Sequence, residues 1–198
     1  KVTQWLHSFD AVIGHHPHVP QGIEMYRDRP IVFSLGNFLF DWAERENETD
    51  VSFLLELGVD SDGVCGVRVH PIGKAENGGV SLLTGPRREG FLDLMRDLSE
   101  PLTGDEAAYR ELWVEQCRGL FESWYAPRLQ RMAEVASDDP VKRRKASLTL
   151  LNLMEPDEHG DVLKTWAQRI AVGREDANPE ARRRLDALMD RMRGLALP

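Results

Sequence analysis

A mixed α/β fold, with short strands in the first part and a helical bundle behind it, follows from three observations. Up to about Leu83 the apolar residues fall in short runs or alternate with period two, and beyond it they recur with the helical period. Turn chemistry separates the early runs, whereas helix-start signals recur in the later half. The charge divides in the same place: residues 1–100 carry nine Lys/Arg against sixteen Asp/Glu, a net of −7, and residues 101–198 carry sixteen against seventeen, a net of −1. The boundary is placed at Glu100–Gly104, which gives parts 1–103 and 104–198.

The elements follow in order. Asp10–Gly14 is a compact apolar run ending in glycine, a buried strand feeding a loop. Gly22–Arg27 and Ile31–Leu35 flank Asp28-Arg29-Pro30, whose turn chemistry predicts a hairpin. Val51, Phe53, Leu55, Leu57 and Val59 alternate, and after Ser61-Asp62-Gly63 the alternation continues through Cys65, Val67 and Val69 as a second hairpin. Its apolar face needs a covering layer. Lys74–Gly79 reads as a loop and Gly90–Leu98 as a short helix.

Thr103-Gly-Asp-Glu106 is a capping-box signature opening a long helix, along which Trp113, Cys117, Leu120, Phe121, Trp124 and Leu129 share a face. Asp139-Pro140 and Asn178-Pro179 read as N-caps followed by proline at the first helical position, and Gly160 and Gly173 as helix ends. About four helices result.

The chain has 198 residues, 41% of them hydrophobic and 29% charged, which suits a globular domain able to bury a core without disulfides or metal. Two cysteines are too few for a disulfide scaffold or a Cys-rich zinc site, and they leave the redox compartment open. The longest stretch free of Asp, Glu, Lys and Arg, Ala11–Ile23, contains three His and two Pro and falls short of the ~18 apolar residues that a spanning helix needs. A net charge of −8 argues against a general nucleic-acid binder. Lys1 runs at once into Val-Thr-Gln-Trp-Leu with no leader, so the expectation is a piece of something longer.

Gly14-His15-His16-Pro17-His18-Val19-Pro20 carries most of the chemistry. Three of six histidines lie directly after a strand, in a loop stiffened by two prolines. In extended backbone His16 and His18 point the same way and can converge on one ion, with Zn, Mn or Fe suited to imidazole and carboxylate donors. The alternative is a His-rich surface loop. Gly36 in Ser34-Leu-Gly-Asn37 allows a sharp turn towards a site; Asn37 either hydrogen-bonds a ligand or substrate, or closes a turn through its own side chain.

The stretch Asp10-Ala-Val-Ile-Gly-His-His-Pro-His-Val19, the hairpin Gly22–Phe33 and Ser34-Leu-Gly-Asn-Phe-Leu-Phe-Asp41 together resemble the closing part of the bacterial capsule-synthesis (CapA-type, poly-γ-glutamate synthesis) domain, a relative of the calcineurin-like metallophosphoesterases. The resemblance covers about residues 1–103. It implies the C-terminal part of a metallophosphoesterase-like β-sandwich flanked by helices, followed by an α-helical bundle, with two divalent metal ions in the complete site. His16 and His18 match the family's late metal ligands, His15 is a candidate for hydrogen bonding to a substrate oxygen, and Asn37 for substrate binding or support of a ligand. The earlier Asp-containing and Gly-Asn-His-type motifs are absent from these residues, which leaves the site incomplete. The resemblance further implies an anionic polymer or phosphoester substrate, capsule-synthesis partner proteins and a cell-surface or membrane-associated setting. A non-catalytic accessory or assembly module on a degenerate scaffold is the competing reading.

The remaining features read more plainly. Asp41, Glu44, Glu46, Glu48 and Asp50 form a solvated acidic loop or a cation attractor, and His70 sits at a strand end. His7 and His159 have no partners in sequence. Lys142–Lys145 and Arg182–Arg184 are solvated helix faces or a grip on an anionic polymer, and the aromatic stripe of the long helix is core.

Overall fold

The computed structural model describes residues 8–39, 50–75, 79–104, 106–154 and 157–195. Two compact units emerge, one of Lys1–Tyr109 with Asp186–Pro198 and one of Arg110–Leu185. The fold is mixed α/β: among the described residues, six strands lie in the first unit and the second is helical.

In the first unit β1 (Val12–Ile13) pairs in parallel with β3 (Arg29–Val32), which pairs antiparallel with β2 (Ile23–Tyr26), giving the order β1-β3-β2. The hairpin expected here forms, but its turn is Arg27-Asp28, and Arg29 and Pro30 belong to β3. Both turn residues have positive φ, 52° and 63°, the backbone of a type I′ turn whose twist suits a two-residue hairpin. Pro30 is tolerated because it faces Met25 one pair beyond the closing Tyr26–Arg29 pair, and β1 pairs with β3 only from Ile31 onward.

The second sheet has the order β4-β5-β6, with β4 (Val51–Asp60) and β5 (Gly63–Lys74) forming the long hairpin that the alternation predicts, and β6 (Val80–Leu82) added at the edge. Their two-residue turn is Ser61-Asp62, and a register irregularity at Gly58/Val59 marks a bulge. Val51, Phe53 and Ile72 are buried, while Leu54 and Val59 are exposed. The covering layer is helix α1 (Gly85–Thr103), longer than the Gly90–Leu98 helix expected. Phe91, Leu94 and Met95 of α1 pack with Val32, Val51, Phe53 and Leu83, and Met192 and Leu195 from the end of helix α6 (Pro179–Leu195) complete this core. Phe53 and Phe91 meet edge to face, 6.2 Å between centroids. Arg87 Nε donates to the Leu195 carbonyl at 3.0 Å and satisfies an acceptor at the C-terminus of α6.

Thr103 ends α1, and its hydroxyl donates to the Glu100 carbonyl at 3.2 Å, so it serves the helix before it. Helix α2 (Glu106–Leu120) then runs into a π-helical turn, Phe121–Tyr125, before α3 (Ala126–Met132). The expected continuous helix is thus interrupted. Pro127 explains it: proline lacks an N–H and clashes with the carbonyl four residues back, and a wider turn immediately upstream relieves both demands.

The aromatic stripe is core of the second unit: Cys117 and Tyr125 are buried with Leu153, Val162 and Trp166, flanked by Trp113, Leu120, Phe121, Trp124 and Leu129. Helices α4 (Pro140–Met154) and α5 (Asp157–Ala171) supply the facing side. Asp139 Oδ1 accepts from Val141 N at 2.8 Å, and Asn178 Oδ1 from Glu180 N and Ala181 N at 3.1 and 3.0 Å, so both expected caps form. Gly173, with φ 63°, ends α5 in a Schellman arrangement, Gly173 N to Ile170 O and Arg174 N to Arg169 O. Gly160, expected as a second end, lies inside α5 instead.

Candidate functional site

The histidine loop leaves the end of β1 and is fastened at both ends to one stretch of chain. Gly14 N donates to Val32 O at 2.6 Å; beyond the loop, Pro20 bridges Leu35 and Gln21 N donates to Ser34 O at 3.0 Å. Gly14 is there for closeness: a Cβ would stand 2.3 Å from the Phe33 carbonyl oxygen. His15–Val19 therefore arch over a fixed base.

Within the arch the backbone is not extended. His16 and His18 have φ of 102° and 65°, so the simple two-residue alternation does not orient these side chains. Positive φ at two non-glycine residues two positions apart is uncommon and stores strain, which clusters at sites where geometry matters. The two rings nevertheless lie 5.9 Å apart between centroids with planes at 46°. His15 and His16 are exposed and His18 is half-buried.

Asn37 connects the loop to the rest of the unit. Its Oδ1 lies 2.9 Å from His18 Nδ1, a contact across nineteen residues, so its side chain reaches the histidine loop instead of closing a local turn. The Asn37 main chain is held as well: the Ser52 hydroxyl donates to its carbonyl, and the buried Ser34 hydroxyl accepts from Gly36 N at 3.2 Å. Gly36 has φ 80°, and a Cβ there would lie 2.8 Å from the Ser52 Cβ. Ser52 and Ser34 are supporting residues that the sequence reading missed. Their signal, polar side chains beside buried strand positions, is indistinguishable in sequence from ordinary surface serines.

With Asn37 Oδ1 as acceptor, the His18 proton sits on Nδ1 and the ring lone pair on Nε2. Asn37 Nδ2 is buried and has no acceptor among the described residues. Among the described residues no three His, Cys, Asp or Glu side chains come together as an ion-holding group.

The other sequence candidates separate from this place. His70 Nε2 lies 2.6 Å from Glu56 Oε2 on the exposed face of the β4–β5 hairpin, where Arg68 also pairs with Glu56 at 2.7 Å. His159 meets the Tyr125 hydroxyl at 2.6 Å and stacks on Trp124 in the second unit. Lys142–Lys145 and Arg182–Arg184 lie on exposed helix faces. Asp50 is half-buried, whereas His7, Asp41, Glu44, Glu46 and Glu48 lie outside the described residues. No described helix is long and apolar enough to cross a membrane.

Comparison with known proteins returns to the same segment. Residues 5–42 match the family model of the bacterial capsule synthesis protein PGA_cap. The PGA biosynthesis protein CapA of Bacillus subtilis (strain 168) is 40% identical over 65 residues, 32% of this chain and 16% of that protein. The capsule biosynthesis protein CapA of Bacillus anthracis is 42% identical over 48 residues, 23% and 12% of the respective chains. The uncharacterized protein y4sH of Sinorhizobium fredii (strain NBRC 101917 / NGR234) is 59% identical over 32 residues, 16% and 7%. Each match spans less than a fifth of the relative's own length. The family match takes in β1, the histidine loop, the β2–β3 hairpin and Asn37, and in this segment the chain is similar to the CapA-type capsule synthesis family.

Proposed function

We propose that the chain supplies the late part of a metal-dependent, phosphoesterase-like hydrolase site serving capsule or poly-γ-glutamate biosynthesis. The observation that carries this reading is the 2.9 Å contact of His18 Nδ1 with Asn37 Oδ1, the kind of hydrogen bond that orients a ligating imidazole. His16 is the second ligand. With metal–nitrogen bonds of ~2.0–2.1 Å, two imidazole centroids on a common ion lie roughly 4.5–6.5 Å apart, and the His16–His18 separation of 5.9 Å falls in that range. Divalent ions, two of them and of Mn, Fe or Zn type, would supply Lewis acidity and an activated water.

His15, exposed next to His16 in the loop, hydrogen-bonds a substrate oxygen, and Asn37 supports the His18 ligand. The two three-stranded sheets and the covering helix α1 support a metallophosphoesterase-like sandwich as the surrounding fold. The printed names of the two Bacillus relatives support capsule polymer synthesis as the process.

A second reading, an accessory or assembly module without catalysis, is favoured by one observation: the described residues offer no third ligand. One experiment separates the two. His16→Ala and His18→Ala are introduced into the protein as its own cell makes it, and surface polymer is measured beside a deletion strain at matched protein level. The hydrolase reading expects both variants to match the deletion strain. Wild-type polymer in both variants, with polymer lost on deletion, supports the accessory reading.

A further inference from the structure

The second unit contains a cavity of about 200 Å³ lined by Arg110, Glu111, Val114 and Glu115 of α2, Arg169 of α5, and Asp176 and Asn178 of the segment entering α6. That is more than ten times the roughly 10–15 Å³ needed for one water molecule. Its polar groups are unevenly satisfied. Glu115 accepts from Arg118 through both oxygens at 3.1 Å and from Asn178 N at 3.2 Å, while Glu111 accepts from Asn178 Nδ2 at 3.1 Å. Arg169 differs: its Nε–H is buried and finds no acceptor among the described residues. A buried donor left unpaired is costly, and since Arg169 also lines the cavity, an acceptor from outside the chain that reaches this guanidinium would gain most.

The charges decide which acceptor. A guanidinium Nε–H together with one terminal N–H forms the fork that a carboxylate fits side-on. A simple anion would also face the carboxylates of Glu111 and Asp176, and a simple cation would face Arg110 and Arg169. With Glu115 already matched by Arg118, the rest of the lining holds two positive and two negative side chains. A ligand with both charges complements that lining. We propose that this cavity binds a small zwitterion of the α-amino-acid type, its carboxylate on Arg169 and its ammonium group towards Asp176 and Glu111. The assignment is independent of the histidine site, which lies in the other unit.

The test uses the 198-residue chain, labelled with 15N, and L-alanine as the probe, with acetate and methylamine as its separate halves. The Arg169 Nε–H signal and the backbone amides of Val114 and Asn178 should shift saturably with L-alanine. Acetate or methylamine alone should bind at least about tenfold more weakly, the equivalent of one lost charge contact. Arg169→Gln should abolish the shifts with its melting temperature retained, and the exposed Asp176→Asn should weaken L-alanine binding without weakening that of acetate, which is relieved of a like charge. The proposal is overturned by no saturable shift up to tens of millimolar, by acetate binding as tightly as L-alanine, or by undiminished binding in both variants.

Discussion

Gly36→Ala is the substitution that ties the fold most directly to the histidine loop. Two costs add. At φ 80° an L side chain occupies the left-handed region, which disfavours it by about 1–2 kcal/mol. The new Cβ would also stand 2.8 Å from Ser52 Cβ and 3.1 Å from Pro20, and such overpacking costs about 1–3 kcal/mol. Together the loss is about 2–5 kcal/mol, a large fraction of the ~5–15 kcal/mol that holds an ordinary domain. Relief requires Ser52 or Pro20 to move, and Ser52 holds the Asn37 carbonyl while Pro20 anchors the loop. Urea unfolding followed by exchange of the Phe53 amide, bonded to Leu35 O, reads the first unit alone. Gly194→Ala is the control: no atom lies within 4 Å of its added Cβ, and alanine gains up to about 1 kcal/mol over glycine inside a helix. A Gly36→Ala chain within about 0.5 kcal/mol of wild type would refute the reasoning.

Asn37→Ala should release His18 from its Nδ1–H tautomer, which 15N imidazole shifts report; an unchanged tautomer means that another group sets it. Burial pulls Glu115 upward, but the Arg118 bonds, the Asn178 N–H and the nearby Arg118 and Arg182 charges outweigh it and hold the carboxyl below its ordinary value of 4.5. Its contribution is complete above pH 4.5 and is lost as pH falls through the lowered value, so Glu115→Gln should flatten the acid limb of second-unit unfolding and cost about 3 kcal/mol at neutral pH. An acid limb identical to wild type counts against the pairing. Burial pushes the Cys117 thiol up to about 11, with Asp161 adding to the rise and Thr165 opposing it. At pH 8 a thiol reagent should therefore label exposed Cys65 and leave Cys117 unmodified until urea unfolds the second unit. Equal labelling rates in the native chain would contradict the buried placement.

Local signals made the hairpins and helix caps legible. Alternation states which face is buried around Val51 and Phe53 but not at the hairpin tip, where Val59 and Cys65 are exposed, and the Asp-Pro and Asn-Pro pairs state where α4 and α6 begin, because each depends on neighbours in sequence. The Arg27-Asp28 turn was not legible: neither residue has glycine's freedom at positive φ, and Pro30 carries a turn signal although it lies in a strand. The π-turn before Pro127 and the placement of Gly160 within α5 depend on how helices continue through tertiary packing. At the site, the residue types of the histidine loop could be read directly. The contact from Asn37 to His18 and the support from Ser52 could not, since both join segments that only the folded sheets bring together.

Manganese titration of the chain, read residue by residue, tests the central claim most directly. A bound paramagnetic ion broadens nearby signals, so substoichiometric Mn²⁺ should first erase the imidazole resonances of His16 and His18. Asn37→Ala should weaken binding about 10–100-fold, as loss of a hydrogen bond to a ligating imidazole does, and His16→Ala or His18→Ala should abolish it. Broadening that begins elsewhere, or affinity unchanged in His16→Ala and His18→Ala, would contradict the account.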